Sequence, residues 1–438
     1  MANQIVFVNV SVQVAPAPST LQRTGALISQ GGTTLTPGTR QLLTQLSDLT
    51  DILAASQALT SIAWAGGTAT GTTTAPHGWG GNGTTVSVTI AGASPAAYNG
   101  TYTATVTGTS TFTYDISNPG TTPAATAGTV TLSSVAETRA MGTTFFAQGN
   151  TASVYVLELG PGNAEAGVAD LTTWLTDNPS TVYAFLVPRA WSDEATYLTL
   201  VDNYSAPTSK TYFFTTMTTA NYTDFDATMK SVFGMVSAPA APMTEFTAAA
   251  PFYWFLNYNP SAVSKVTPAA FAFLYGVTAY PQPGNAATLA ALKAASVNVV
   301  GTGAEGGISN TIDFWGTLLD GTDLTYWYSV DWVQINGDRD LANEIINGSN
   351  NSLAPLYYNQ PGINRLQARL QQTMNRAISF GLLLGPAPVE AIGFTDYVAA
   401  NPSDFPAGIY NGLSTVATPN RGFKSITFAF VVSNFPAQ

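Results

Sequence analysis

Val86-Ser87-Val88-Thr89-Ile90, Thr101-Tyr102-Thr103-Ala104-Thr105-Val106, Thr111-Phe112-Thr113-Tyr114 and Thr129-Val130-Thr131-Leu132 are four short runs in which apolar and hydroxyl side chains alternate. Successive residues of a strand face opposite sides, so each run has one apolar face and one rich in Thr and Ser. Turns of Gly, Asn and Pro separate the runs, and Asn99-Gly100 is a strong hairpin signal. Between residues 65 and 135 the only charged side chain is Asp115. The pattern predicts a small all-β sandwich or barrel over 64–135, threaded into a larger fold and exposed on its outside.

Beyond this module the pattern changes to alternating strands and helices. Val154 to Leu159, Val182 to Val187 and Thr211 to Thr215 predict strands; Ala164 to Thr176 and Asp193 to Tyr204 predict helices, the second capped by Ser192. Phe225 to Val236 reads as a further helix, and Gln41 to Leu59, with leucines near helical spacing, as a surface helix before the module. Such alternation implies a three-layer α/β domain with a partly parallel sheet. Asn285 to Ala295 predicts a short helix leading into strand Val297 to Val300. Tyr326 to Val333 is a strand or a helix start, Asp338 to Ile346 is helical, and Ile363 to Leu384 is a long helix interrupted at Gly381.

The two ends are strand-like. Asn3 to Val14 alternates through Ile5, Phe7, Val8, Val10 and Val12 and stops at Pro16 and Pro18; Phe423 to Val432 places Ile426, Phe428, Phe430 and Val432 on one face. An end strand without a partner in its own subunit exposes a row of N–H and C=O groups and invites pairing with another copy. The expected class is therefore mixed α+β and α/β, multidomain. An N-terminal arm (1–20) and a C-terminal arm (422–438) flank an α/β domain (21–63 with 136–284), the inserted β-domain (64–135) and a C-terminal domain (285–421).

Composition narrows the function. Of the 438 residues only 9% are charged, against about 25% in ordinary soluble domains, so the surface is covered by small polar residues or by other subunits. The net charge of −11 disfavours nucleic acid as a partner. The chain lacks Cys and has one histidine, His77, which leaves no thiolate chemistry and no His-based metal set or triad. No apolar run approaches the ~18 residues of a spanning helix, and the start of the chain does not read as a signal peptide. The expectation is a soluble, unsecreted protein with no cofactor and no membrane insertion.

Individual motifs carry little chemistry. Gly301-Thr302-Gly303-Ala304-Glu305-Gly306 matches the dinucleotide fingerprint, but that motif needs a helix to open at its third glycine, and the residues that follow look extended. It is read as a loop. His77, in Pro76-His77-Gly78, reads as structural, and Asp320, Asp323, Asp338 and Asp340 as turn and cap residues. On the long helix, Arg365, Arg369 and Arg376 fall within about 40° of one another at 100° per residue. They form either a solvated face or a contact with an acidic protein surface.

Several stretches in order resemble the contractile-tail sheath proteins of bacteriophages. The N-terminal Val8-Asn9-Val10-Ser11-Val12 with its Pro-Ser link looks like a sheath linker arm. Ser296-Val297-Asn298-Val299-Val300, the glycine loop and Phe314-Trp315-Gly316-Thr317-Leu318 are similar to the sheath order of helix, strand, loop and aromatic segment, and the later helices and closing strand follow in sequence. The paired arginines usual after the aromatic segment are absent, with Asp331-Trp332 and Asp338-Arg339-Asp340 in that neighbourhood, which marks a divergent branch. The resemblance implies a non-enzymatic virion subunit assembled in the host cytoplasm. It would stack as hexameric rings around a tail tube, meet baseplate and tail terminator proteins, and contract to drive the tube through the host envelope. It places the C-terminal domain, with Arg365, Arg369 and Arg376, against the tube. The alternatives are another tail or baseplate component, or a nucleotide-binding protein using Gly301 to Gly306.

Overall fold

The computed structural model describes residues 20–281, 285–302 and 310–425. The arm positions Ile5, Phe7, Val8, Val10, Val12, Ile426, Phe428, Phe430 and Val432 lie outside the described residues, as does most of the glycine loop. The described chain forms two compact units, Leu21–Tyr328 with residues 419–425, and Ser329–Thr418. Among the described residues no helix is long and apolar enough to cross a membrane.

The first unit opens with β1 (Gly25–Ser29), β2 (Arg40–Leu43) and a short α1 (Leu46–Thr50) before the chain enters the β-module. The expected helix over 41–59 is thus broken into β2, α1 and the start of a barrel strand. Asp48 explains part of the break. Its carboxylate accepts the Thr44 and Gln45 backbone N–H groups and the Thr44 hydroxyl, which fixes a helix N-terminus at Leu46 and holds the Asp48 pKa at about 2.

The module is a closed barrel of β3 (Gln57–Ala65), β4 (Thr68–Thr73), β5 (Thr85–Ala91), β6 (Gly100–Val106), β7 (Thr111–Asp115) and β8 (Thr129–Leu132), in the order β3-β4-β7-β6-β5-β8. Closure leaves no open strand edge. Val86, Val88, Ile90, Ala104, Val106, Phe112 and Tyr114 fill the interior, while Ser87, Thr89, Thr101 and Thr103 face outward. The four strands expected from alternation are present, and the barrel begins at Gln57, before the expected boundary at 64.

Behind the barrel, α2 (Ser133–Ala147), β9 (Val154–Glu158), α3 (Ala164–Asp177), β10 (Ala184–Leu186), α4 (Ala195–Asn203), β11 (Tyr212–Met217), β12 (Val232–Val236), α5 (Ala249–Asn257), α6 (Ala286–Ala294), β13 (Asn298–Thr302) and β14 (Thr311–Phe314) complete the α/β layer. The sheet has eight strands in the order β14-β13-β12-β11-β10-β1-β9-β2. The six inner strands are parallel, and β2 and β14 are antiparallel edges. Strands β1, β10, β11 and β12 are buried along their whole length, as a parallel sheet covered on both faces requires. On one face Val168, Leu171 and Trp174 of α3 and Tyr197 and Val201 of α4 pack on Ile28, Phe185 and Phe213. Rings from α2 and α5, Phe145, Phe252 and Phe255, join Tyr183 and Phe214 in a second aromatic cluster.

Three further expectations are corrected. Val232-Phe233-Gly234-Met235-Val236 is a strand, not part of a helix over 225–236. A continuous apolar run buried on both sides carries no period, and Gly234 leaves room for Met217 and Leu319, which a Cβ would meet at 2.6 and 3.2 Å. Ser192 does not cap α4; its hydroxyl donates to the Arg189 carbonyl inside a 3₁₀ turn, and Glu194 accepts the Thr196 N–H instead. The expected domain boundary at 285 falls inside the sheet, because β13 and β14 belong to it.

The segment Tyr326 to Val333, read as strand or helix start, is helical. It belongs to α7 (Leu324–Ser349), most of which lies in the second unit, with α8 (Gln360–Ser379), β15 (Leu383–Leu384), β16 (Val389–Ala391), α9 (Phe394–Ala400) and β17 (Leu413–Thr415). Strands β16 and β17 pair as an antiparallel two-stranded sheet. Helix α8 stops before the interruption expected at Gly381. That glycine takes φ of +76°, and Gly381 and Leu382 N–H donate to the Ile378 and Ala377 carbonyls, the paired bonds of a Schellman stop.

Candidate functional site: the ionic centre of the second unit

The arginine stripe on α8 is real, and its partners lie in the same unit. Arg369 and Arg376 both pair with Asp340 of α7, the first at 3.3 Å, and Arg365 pairs with Glu344 of α7. Later residues of α7 thus meet earlier residues of α8, so the helices run antiparallel. The Asp340 side chain is 0% exposed; it also accepts the Thr373 hydroxyl at 2.6 Å. Arg365 donates a second bond to the Ala354 carbonyl at 2.8 Å.

A third cation, Arg339, stands beside this centre and donates to the Asn336 side chain at 3.2 Å. Burial lowers its pKa; Asp340 opposes that shift, and Arg376 and Arg369 add to it. Three guanidiniums around one carboxylate leave a surplus of positive charge. Removing one partner of such a buried set leaves charge without compensation and costs about 3–5 kcal/mol. The acidic surface that the stripe contacts is therefore, at least in part, the protein's own α7.

Sequence reasoning found the arginines and missed their anchor. From the sequence, Asp340 reads as a turn or cap residue. The available signal was its place on α7: Trp332, Asn336 and Asp340 recur every four residues on one face and are all buried. An acid at the end of a buried stripe, facing a helix with an arginine stripe, identifies an internal pair.

The remaining candidates are structural. Asp320 accepts from Thr322 and the Trp327 indole, and Asp323 pairs with Lys424 at 2.5 Å. His77 is buried and stacks on Trp79 at 4.6 Å; its Nδ1 accepts the Trp79 N–H, while Nε2 faces the Thr111 carbonyl. Gly301 and Thr302 belong to β13, which pairs antiparallel with β14 through Gly301 with Ile312 and Thr302 with Thr311. A Cβ at Gly301 would enter the Phe314 ring. Close strand packing accounts for that glycine, and a strand returning antiparallel is not the strand-to-helix turn of a dinucleotide site.

A cleft of about 510 Å³ lies between the outer faces of β5 and β6 and the carboxyl ends of β1 and β10. Strand order reverses here, the usual place for ligands in open α/β sheets. Its charged side chains and the Gln30 amide are nonetheless engaged within the chain. The Arg189 backbone N–H and guanidinium donate to Glu137 at 2.9 and 3.4 Å, and the guanidinium lies 4.4 Å from the Phe246 ring centre. Burial pushes the Glu137 carboxyl up and the Arg189 guanidinium down. The Gln30 amide spans the Asn163 carbonyl and the Trp191 indole.

Exposed apolar side chains concentrate on the second unit. Among the described residues, nine of the sixteen exposed large hydrophobic residues lie within Ser329–Thr418, among them Leu353 at 95%, Val416 at 88% and Tyr357 at 64% exposure.

No protein-family model matches the chain, and no curated protein matches it. Among solved structures the chain is similar to the helical sheath of the anti-feeding prophage in its contracted state, at 11% identity and a TM-score of 0.49, over 99% of this chain and 100% of that one. It is similar to the anti-feeding prophage baseplate in its contracted state at 12% identity and a TM-score of 0.49, over 98% and 97% of the two chains. A sheath tail protein from Listeria innocua is similar at 10% identity and a TM-score of 0.45, over 90% and 94%.

Proposed function

We propose that this chain is a non-enzymatic structural subunit of a contractile tail sheath, stacking as hexameric rings around a tail tube. The observation that carries the reading is the apolar surface of the second unit, in a chain with only 9% charged residues. Such a surface is stable when other copies cover it. The order of short motifs from Ser296 to the closing strand, which resembles that of sheath proteins, selects this assembly among others.

The arms supply continuity between copies. Alternating apolar residues at Ile5, Phe7, Val8, Val10 and Val12, and at Ile426, Phe428, Phe430 and Val432, suit addition to a sheet of a neighbouring subunit. The two-stranded β16–β17 sheet offers outer edges for it. Head-to-tail contacts of this kind do not close on themselves and build helical stacks. Contraction is then a cooperative shift between two packings of the same subunits, with the exchanged strands as hinges. The surplus positive charge around Asp340 suits the inner wall facing an acidic tube, and baseplate and terminator proteins meet the two ends of the stack.

Negative-stain microscopy of the purified full chain tests the reading: striated tubes are expected. Removal of residues 423–438 is expected to give soluble monomers, and tubes of normal length from the truncated chain would overturn the role of the arm.

A further inference from the structure

At the carboxyl ends of β1 and β9, where Ser29 and Glu158 are register partners, the Glu158 side chain is buried among five donors. Its Oε1 accepts the backbone N–H of Gly31 at 2.5 Å and of Gly160 at 2.8 Å. Its Oε2 accepts the Ser29 hydroxyl at 2.8 Å, the Thr33 N–H at 3.1 Å and the Thr33 hydroxyl at 2.7 Å. The residue is 1% exposed, and no ion pair of Glu158 occurs among the described residues.

Apart from the Ser29 hydroxyl at the end of β1, the donors belong to two loops that turn through left-handed glycines, Gly31 at φ +77° and Gly160 at φ +96°. Convergent backbone N–H groups around such residues make the concave nests in which proteins hold anions. A second cavity of about 180 Å³ reaches this place from the barrel side, lined by Thr33, Glu158, Gly160, Pro161, His77 and Trp79 among others.

We propose that the β1 and β9 loops form an oxyanion cradle, that Glu158 is its built-in ligand, and that vacating it creates a binding site for small carboxylates such as formate and acetate. The natural chain then takes no exogenous oxyanion at this point, because its own carboxylate occupies all five donors. The inference is independent of the sheath reading, since it concerns the interior of one subunit.

Two substitutions in the full chain test it. Glu158→Gln keeps the shape and removes the charge. Each carboxylate oxygen accepts at least two donors, so either orientation of the amide sets its NH₂ against donors, and the thermal midpoint is expected to fall. Glu158→Ala empties the cradle. Sodium formate, compared with sodium chloride at equal ionic strength, is expected to raise its midpoint in a saturable way, by about 5 °C at a hundredfold excess over the dissociation constant, and to leave the natural chain unmoved. A Glu158→Gln midpoint equal to that of the natural chain would overturn the proposal, as would a Glu158→Ala midpoint blind to formate. Should Glu158→Ala fail to fold in chloride, recovery of folded protein in formate supports the cradle and failure in both salts counts against it.

Discussion

The two units differ in how a buried carboxylate is held and in where exposed apolar residues concentrate. Residues 21–328 follow the usual rule, with Thr and Ser outside a barrel and sheet filled by Val, Ile and Phe. The unit Ser329–Thr418 holds an ionic cluster at its centre and carries Leu353, Tyr357 and Val416 on its surface. Apolar burial without direction stabilises both. The second adds a few directed charge contacts to a buried apolar core that includes Trp332, Ile363, Met374 and Leu382. The difference teaches where, under the proposed sheath reading, other copies would cover the chain: on the apolar surface of the second unit.

The sharpest way to break that contrast is Asp340→Ala. It leaves Arg339, Arg369 and Arg376 facing one another without their carboxylate, and is expected to destabilise the second unit by about 4 kcal/mol, read as lost amide-exchange protection over α7 and α8. A variant with unchanged protection would show that the cluster is surface decoration. Replacing Arg365, Arg369 and Arg376 by Glu is expected to disrupt this unit as well, so that triple variant reports on folding before it reports on any tube.

In the first unit the matching test is apolar. Phe112 fills the barrel where Gly71 lacks a side chain, its ring 2.4 Å from where a Cβ would stand. Phe112→Ala is expected to cost about 3 kcal/mol, measured by chemical denaturation, with loss of protection in the barrel strands. An equal loss over α7 and α8 would show that the units do not unfold separately.

How legible each region was follows from the same contrast. Strands β5 to β8 were readable because one face of each is apolar and the other hydroxyl. Strand β4 was not, since its inward positions Ala69 and Gly71 are small and Phe112 fills the space from across the barrel. Strand β12 was hidden by burial on both faces, and β3 by the leucines before it, of which Leu42 is 45% exposed and Leu43 buried. In the second unit the arginine stripe was visible from helical spacing, but whether a stripe faces solvent, a partner or another helix depends on tertiary placement. Asp340, the residue that decides it, reads from the sequence as a turn or cap residue.

A pH series sharpens the first unit further. Asp313 on β14 is 1% exposed and its Oδ1 has no hydrogen-bond partner; burial pushes its pKa well above the usual carboxylate range. The unfolded chain releases this proton near pH 4 while the folded chain keeps it. Stability is therefore full below about pH 4 and falls by about 1.4 kcal/mol per pH unit, through this group, until the folded pKa is passed. Asp313→Asn is expected to remove that slope and to be the more stable form at neutral pH, in urea titrations between pH 4 and 8. Parallel pH profiles for the two proteins would show that the buried acid ionises without penalty.

The smallest effect on stability is expected where the effect on assembly is largest. Leu353 and Val416 are nearly fully exposed in the single subunit, so Leu353→Ser with Val416→Ser removes almost no buried area and is expected to shift unfolding by less than about 0.5 kcal/mol. If copies of the chain cover these side chains, the same double variant loses apolar burial at every contact, and small losses repeat along a polymer. Sedimentation is then expected to show the natural chain as large assemblies and the variant shifted toward monomer at the same concentration, with unchanged thermal melting of the monomer. Identical sedimentation of the two proteins would mean that the apolar surface of the second unit is not what joins the copies. Any joining of copies would then have to rest on the arms alone.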